Sequence, residues 1–232
     1  MPKLKHIGIV GCSAEGAALC YRTICTEAPA ALGEPHAHPE VSMHTHSLAD
    51  YVRCLDAGDL DGVAALMLSS AEKLAKAGAD FLICPDNTIH QALPLVLPRS
   101  PLPWLSIAEV VAEEAQRRGF RRLGLLGTRW LVESEVYPTA LAARGLECLR
   151  PSPADRDPID RIIMDELVAG KFTAAGLATH QLVIGRLKEA GAEAGILGCT
   201  EIPLIMDDGN SPLPTLDSTR LLARAALAKA VR

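Results

Sequence analysis

The sequence predicts an α/β protein built as two pseudo-symmetric halves, each around a parallel sheet. Three observations predict it: short aliphatic runs alternate with helical patterns, the helical patterns stop at glycines, and the chain repeats itself at long range. The aliphatic runs at residues 7–10, 81–84, 123–126 and 195–197 are strand-sized and free of polar residues, as strands buried on both faces are. Between the first two, Val63, Leu66, Met67, Ser70, Leu74 and Ala75 fall on one helical face, which predicts a helix over 61–77. Further helices are predicted over 110–118, 160–169 and 175–190, each stopped near a glycine: Gly119, Gly170 and Gly191. Strands alternating with helices make βαβ units and a parallel sheet.

The repeat divides the chain. Gly8-Ile9-Val10-Gly11 is echoed by Gly124-Leu125-Leu126-Gly127, and Ala77-Gly78-Ala79-Asp80 by Ala190-Gly191-Ala192-Glu193. A period of more than a hundred residues is too long for a solenoid unit, so it implies two similar halves. The expected division is 1–101 plus 216–232 for the first half and 102–215 for the second. The proline-rich stretch 97–103 would link them, and 212–215 would lead a last helix back to the first half. Ligands of open α/β sheets bind outside the carboxyl ends of strands. Superposing the two repeats without gaps sets Asp86 against Cys199, Asn87 against Thr200 and Thr88 against Glu201. If the halves face each other, these triplets meet in an active-site cleft between them.

Composition narrows the function. The formal charge of −5 is spread along 232 residues with no basic block, which argues against nucleic acid as a partner. No apolar run approaches the length of a membrane span. The start, Met1-Pro2-Lys3-Leu4-Lys5, runs into a strand pattern without a signal-peptide core. Seven cysteines are scattered without metal-ligand spacing, and Cys20 and Cys25 are isolated. Reduced thiols, a cytoplasmic setting and no bound metal are the expectation.

Gly198-Cys199-Thr200-Glu201 follows a buried strand, and Asp86-Asn87-Thr88 holds the matching place. A thiol there can be activated by a helix N-terminus or a cation and serve as base and acid. The alternative is an inert, packed cysteine; the repeat and the polar Thr200-Glu201 favour the site. For Asp86 the alternative is a helix cap. Two acid–base groups on opposite faces of a carbon are what deprotonation with inversion requires.

Ile7-Gly8-Ile9-Val10-Gly11, Asn87-Thr88-Ile89-His90, Leu125-Leu126-Gly127-Thr128-Arg129 and Gly198-Cys199-Thr200-Glu201 together resemble the aspartate/glutamate racemase family. Asp155-Arg156-Asp157 and the Asp-Glu-Leu ending at Leu167 fit the same pattern, in order, over essentially the whole chain. The resemblance implies two Rossmann-like halves, a cleft active site, catalysis without pyridoxal phosphate or metal, a small carboxylate or amino-acid substrate, and a homodimer. The family uses two cysteines, one directly before Asn-Thr and one before Thr-Glu. Cys199 matches the second. The first position holds Asp86, with Cys84 two residues earlier behind Pro85 and assigned a structural role. The expected catalytic pair is therefore carboxylate and thiol.

A carboxylate near a thiolate and a substrate carboxylate has its basicity raised by like charge and burial, whereas an ordinary aspartate is a poor base for an α-proton. The two faces are then unequal, and one enantiomer is handled better. Ser13, Asn87, Thr88, Thr128 and Thr200 lie at strand-to-helix turns and are candidates to hold the substrate carboxylate, or plain caps. Glu201 would orient Cys199 or the substrate amine, or else simply begin a helix. The family's substrate-binding basic residues find no clean match: His44-Thr45-His46-Ser47 follows the second strand, Arg53 comes in the next helix, and Val168 stands where some members have lysine. His44, His46 and His90 are candidate polar cleft residues, while Lys171 and Arg129 read as solvated.

Three readings compete. The first is an amino-acid racemase of aspartate/glutamate type using Asp86 and Cys199. The second is a related isomerase or decarboxylase of a small acid, similar to maleate isomerase, arylmalonate decarboxylase or hydantoin racemase. The third is a non-catalytic small-molecule binder on the same fold. A dinucleotide-dependent oxidoreductase fits less well, because Gly11-Cys12-Ser13-Ala14-Glu15-Gly16 lacks the glycine fingerprint.

Overall fold

The computed structural model describes residues 4–231. Met1-Pro2-Lys3, read above as having no signal-peptide core, lies outside them. The chain divides into two units, Met1–Ile107 with Thr219–Arg232 and Ala108–Ser218.

The first unit alternates strand and helix: β1 (Ile7–Gly11), α1 (Ala14–Leu32), β2 (Val41–Thr45), α2 (Leu48–Asp56), α3 (Leu60–Lys76) and β3 (Phe81–Ile83). A 3₁₀ turn at Thr88–Ala92, α4 (Leu93–Val96) and β4 (Trp104–Leu105) complete it. Its sheet runs β2-β1-β3-β4, parallel throughout, with Ile9 paired to Met43 and Ile83. Val10, Leu82 and Cys84 pack with Tyr51, Met67 and Leu74 in one buried cluster. Ser70, the polar member of the predicted helical face, is buried and bonded to His44.

The second unit repeats the plan: α5 (Ile107–Arg117), β5 (Arg122–Leu126), α6 (Arg129–Glu133), α7 (Val136–Ala142), β6 (Glu147–Leu149), α8 (Pro153–Asp165), α9 (Ala174–Glu189) and β7 (Ala194–Leu197). A 3₁₀ turn at Ile202–Leu204 and β8 (Thr215–Asp217) follow. The sheet order is β6-β5-β7-β8, again all parallel, so both sheets have the α/β form the sequence predicts. Leu126 and Leu197 pack with Ile159, Ile163, Ile184 and Leu187. The last helix, α10 (Ser218–Ala230), returns to the first unit, where Arg224 pairs with Glu27 and Lys229 lies 5.5 Å over the Phe81 ring.

The repeated Ala-Gly-Ala-acid motif has a mechanical explanation. Gly78 and Gly191 take positive φ, 93° and 95°, one residue past the caps of α3 and α9. That left-handed turn is cheap only for glycine and closes the helix end. The acidic residue that follows clamps the start of the neighbouring strand: His6 N donates to Asp80 Oδ2 at 2.7 Å, and Arg122 N to Glu193 Oε2 at 3.2 Å. The motif thus ends a helix and sets the register of the next strand in both units.

Two expectations are corrected. The stretch 97–103 leads into β4, whose Trp104 pairs with Leu82 of β3, and the chain passes into the second unit only at Ile107–Ala108. The helix expected over 160–169 begins at Pro153 and ends at Asp165. Pro158 within it hid its start, and Leu167–Ala169 is a separate 3₁₀ turn closed by left-handed Gly170.

Candidate active site

In the first unit, Ser13 ends the β1 turn and Asp86-Asn87-Thr88 ends the adjacent β3 turn. Ser13 is buried and its Oγ accepts from Gly16 N at 3.3 Å, so it caps α1. Asp86 is half-buried, whereas every other residue from Phe81 to His90 is buried. Its Oδ1 accepts from Ile89 N at 3.0 Å, the cap-type bond of the alternative reading. Asn87 and Thr88 are buried beside it, and the Thr88 carbonyl accepts from Gln91 Nε2 at 3.0 Å.

His90 holds this turn in place and is not a polar lining group. It is buried, with Nδ1 2.6 Å from the Asp86 carbonyl oxygen and Nε2 3.2 Å from Ile107 N. The amide can only donate, so Nε2 accepts and Nδ1 carries the proton. Burial pulls its pKa down to about 4, partly opposed by the bond to the Asp86 carbonyl. Cys84 is wholly buried; burial first, then the charge of Asp86, pushes its thiol well above the ordinary range.

His44 and Thr45, expected after the second strand, form the end of β2, and His46 and Arg53 follow it. Lys73 Nζ donates to His44 Nε2 at 3.0 Å, so His44 Nδ1 is the donor to Ser70 Oγ at 2.9 Å. The His44 and His46 rings meet edge to face at 4.9 Å, and burial, with the Lys73 charge, lowers both pKa values. Arg53 is paired with Asp50, and both line an open groove of about 560 Å³ with His46 and Cys54. Among the described residues, no group of three or more His, Cys, Asp or Glu is arranged to hold a metal ion. No described helix is long and apolar enough to cross a membrane.

In the second unit, Thr128 ends β5 and Gly198-Cys199-Thr200-Glu201 ends β7, the adjacent strand. Thr128 is buried and caps α6, its Oγ1 accepting from Leu131 N at 3.3 Å. Gly198 N donates to Leu126 O at 2.8 Å, and a Cβ at Gly198 would lie 2.6 Å from that same oxygen. Only glycine lets the two strand ends approach this closely. Cys199, Thr200 and Glu201 are buried together. The Cys199 thiol donates to Glu201 Oε2 at 2.9 Å, and the Thr200 hydroxyl reaches the same oxygen at 3.1 Å. A carboxylate accepting from the thiol fixes the direction of its S–H bond. Ser218, which no motif signalled, donates to Leu197 O at 2.7 Å and anchors the end of β7 just before Cys199. Arg129 and Lys171 are exposed, as the sequence reading has them.

Each unit therefore gathers its candidates at the carboxyl ends of its two central strands, in matching places. The family described as Asp/Glu/Hydantoin racemase matches residues 7–226. The chain belongs to this family. A candidate Asp/Glu racemase of known structure from Yersinia pestis is 30% identical, with TM-score 0.88 over 99% of this chain and 100% of its own. An aspartate racemase homologue from Pyrococcus horikoshii OT3 is 27% identical, with TM-score 0.83 over 99% and 100%. Among curated relatives, the broad specificity amino-acid racemase RacX of Bacillus subtilis is 25% identical over 73% of each chain. A glutamate racemase of Thermus thermophilus is 31% identical over 65% of this chain and 55% of its own length. Family membership accounts for the two like-ordered sheets.

Proposed function

We propose that this family member is an amino-acid racemase of the aspartate/glutamate type, working without pyridoxal phosphate or metal, with Asp86 and Cys199 as its two acid–base groups. The observation that carries the reading is positional. Both residues lie in the turn after the third strand of a sheet of the same order, ahead of a 3₁₀ turn that begins at Thr88 in the first unit and at Ile202 in the second. One group removes the α-proton, leaving a carbanion stabilised by the substrate carboxylate, and the other returns a proton to the opposite face. Glu201 orients the Cys199 thiol through the bond to its Oε2. Ser13, Asn87, Thr88, Thr128 and Thr200 hold the substrate carboxylate. A cytoplasmic homodimer completes the proposal.

The unlike pair favours unequal handling of the two enantiomers. It also fits a one-sided reaction, in which decarboxylation of a malonate-like acid is followed by reprotonation from Cys199. Proton NMR in deuterium oxide with both enantiomers of aspartate, glutamate and other amino acids separates the two. α-Proton exchange with inversion supports the racemase. Carbon dioxide release from a disubstituted malonate, without amino-acid exchange, would replace it with the decarboxylase.

A further inference from the structure

Glu201 is 2% exposed, and only one of its carboxylate oxygens is used. The Cys199 thiol and the Thr200 hydroxyl both address Oε2, while Oε1, also buried, has no hydrogen-bond partner among the described residues. Two neutral donors on one oxygen do not neutralise a buried carboxylate, and a buried acceptor left without a donor is costly. Such an atom beside a candidate catalytic thiol is suited to a cationic donor brought by a ligand. We propose that Glu201 Oε1 receives the ammonium group of the substrate. This rests on the racemase reading of the Cys199 site and narrows it: the substrate is an α-amino acid with a protonated amine, not a malonate, a maleate or a hydantoin, none of which carries an ammonium group. One carboxylate then orders both the thiol, through Oε2, and the amine, through Oε1, around the same carbon. Glu201 acts as a binding and positioning group while Cys199 moves the proton.

The test is binding, because an α-ammonium group also acidifies the α-proton and would confound a rate comparison. Dissociation constants are measured by calorimetry for alanine against propionate, aspartate against succinate and glutamate against glutarate. Wild type is expected to bind the amino acid of the best-bound pair roughly tenfold or more tightly, the scale of one hydrogen bond between charged groups. Glu201→Gln is expected to bring the two members of that pair within about threefold, chiefly by weakening the amino acid. Glu201→Asp, which withdraws the charge by one methylene, stands in if the glutamine variant does not fold, and should lose the same preference. Equal binding by wild type, or a preference that survives in both variants, would overturn the assignment. An amine preference that depends on Glu201, in a protein that exchanges no α-proton, would keep this inference and sink the racemase reading.

Discussion

Replacing His90 with glutamine tests the physical account of the Asp86 turn. His90 titrates near 4 in the folded protein against 6.5 for a free imidazole. Between those values the unfolded chain takes up a proton that the folded protein refuses. Stability is therefore lost as pH falls from 6.5 towards 4. At pH 5 the loss comes to about 2 kcal/mol, approaching about 3 kcal/mol below pH 4. A glutamine amide can donate to the Asp86 carbonyl and accept from Ile107 N, but it does not titrate. Urea unfolding is followed at pH 7.5 and pH 5 by the fluorescence of Trp104, which sits in β4 of the same unit. His44 and His46 are common to both proteins, so their contribution cancels in the difference. Wild type should be the more stable protein at pH 7.5, and its advantage should shrink by about 2 kcal/mol at pH 5. An advantage that is the same at both pH values would refute the buried, neutral His90.

Other expectations follow from single contacts. Gly198→Ala sets a methyl 2.6 Å from the Leu126 carbonyl and 2.8 Å from Leu131 Cδ2; denaturation should show a loss of about 2–3 kcal/mol. Tyr51 is wholly buried, and among the described residues its hydroxyl makes no hydrogen bond of normal geometry although the Ser70 hydroxyl is near. Tyr51→Phe should then leave stability unchanged or raise it by up to about 1 kcal/mol, and a loss of 2 or more would reveal a missed partner. Iodoacetamide on the native protein, read by mass spectrometry, should label the half-exposed Cys25 and Cys54 well before Cys84, whose thiol is both buried and held protonated.

The central strands were legible because β1, β3, β5 and β7 are buried on both faces, and burial on both faces leaves an uninterrupted aliphatic run. β2 is different. It is an edge strand with Met43 and Thr45 exposed, so Val41-Ser42-Met43-His44-Thr45 mixes polar and apolar residues and carries no such signal. The Ala-Gly-Ala-acid repeat was readable as a helix stop, and through it the matching positions of Asp86 and Cys199. What those positions do for their neighbours was not. Ser13 and Thr128 are caps as well as candidate ligands, and a short run of sequence cannot tell one use from the other. His90 draws its meaning from Ile107, seventeen residues on, and Ser218 from Leu197, across a whole strand connection. Such partners are chosen by packing and leave no local pattern.

The most direct measurement of the central claim is the rate of α-proton exchange in deuterium oxide, with the best amino-acid substrate, for Asp86→Asn, Cys199→Ala and Cys84→Ala beside wild type. The carboxylate–thiol account predicts that the first two lose racemisation by at least about a thousandfold, as removal of an acid–base group does, while Cys84→Ala stays within about threefold of wild type. Retained racemisation in Asp86→Asn together with its loss in Cys84→Ala would contradict the account and move the first base to the buried thiol.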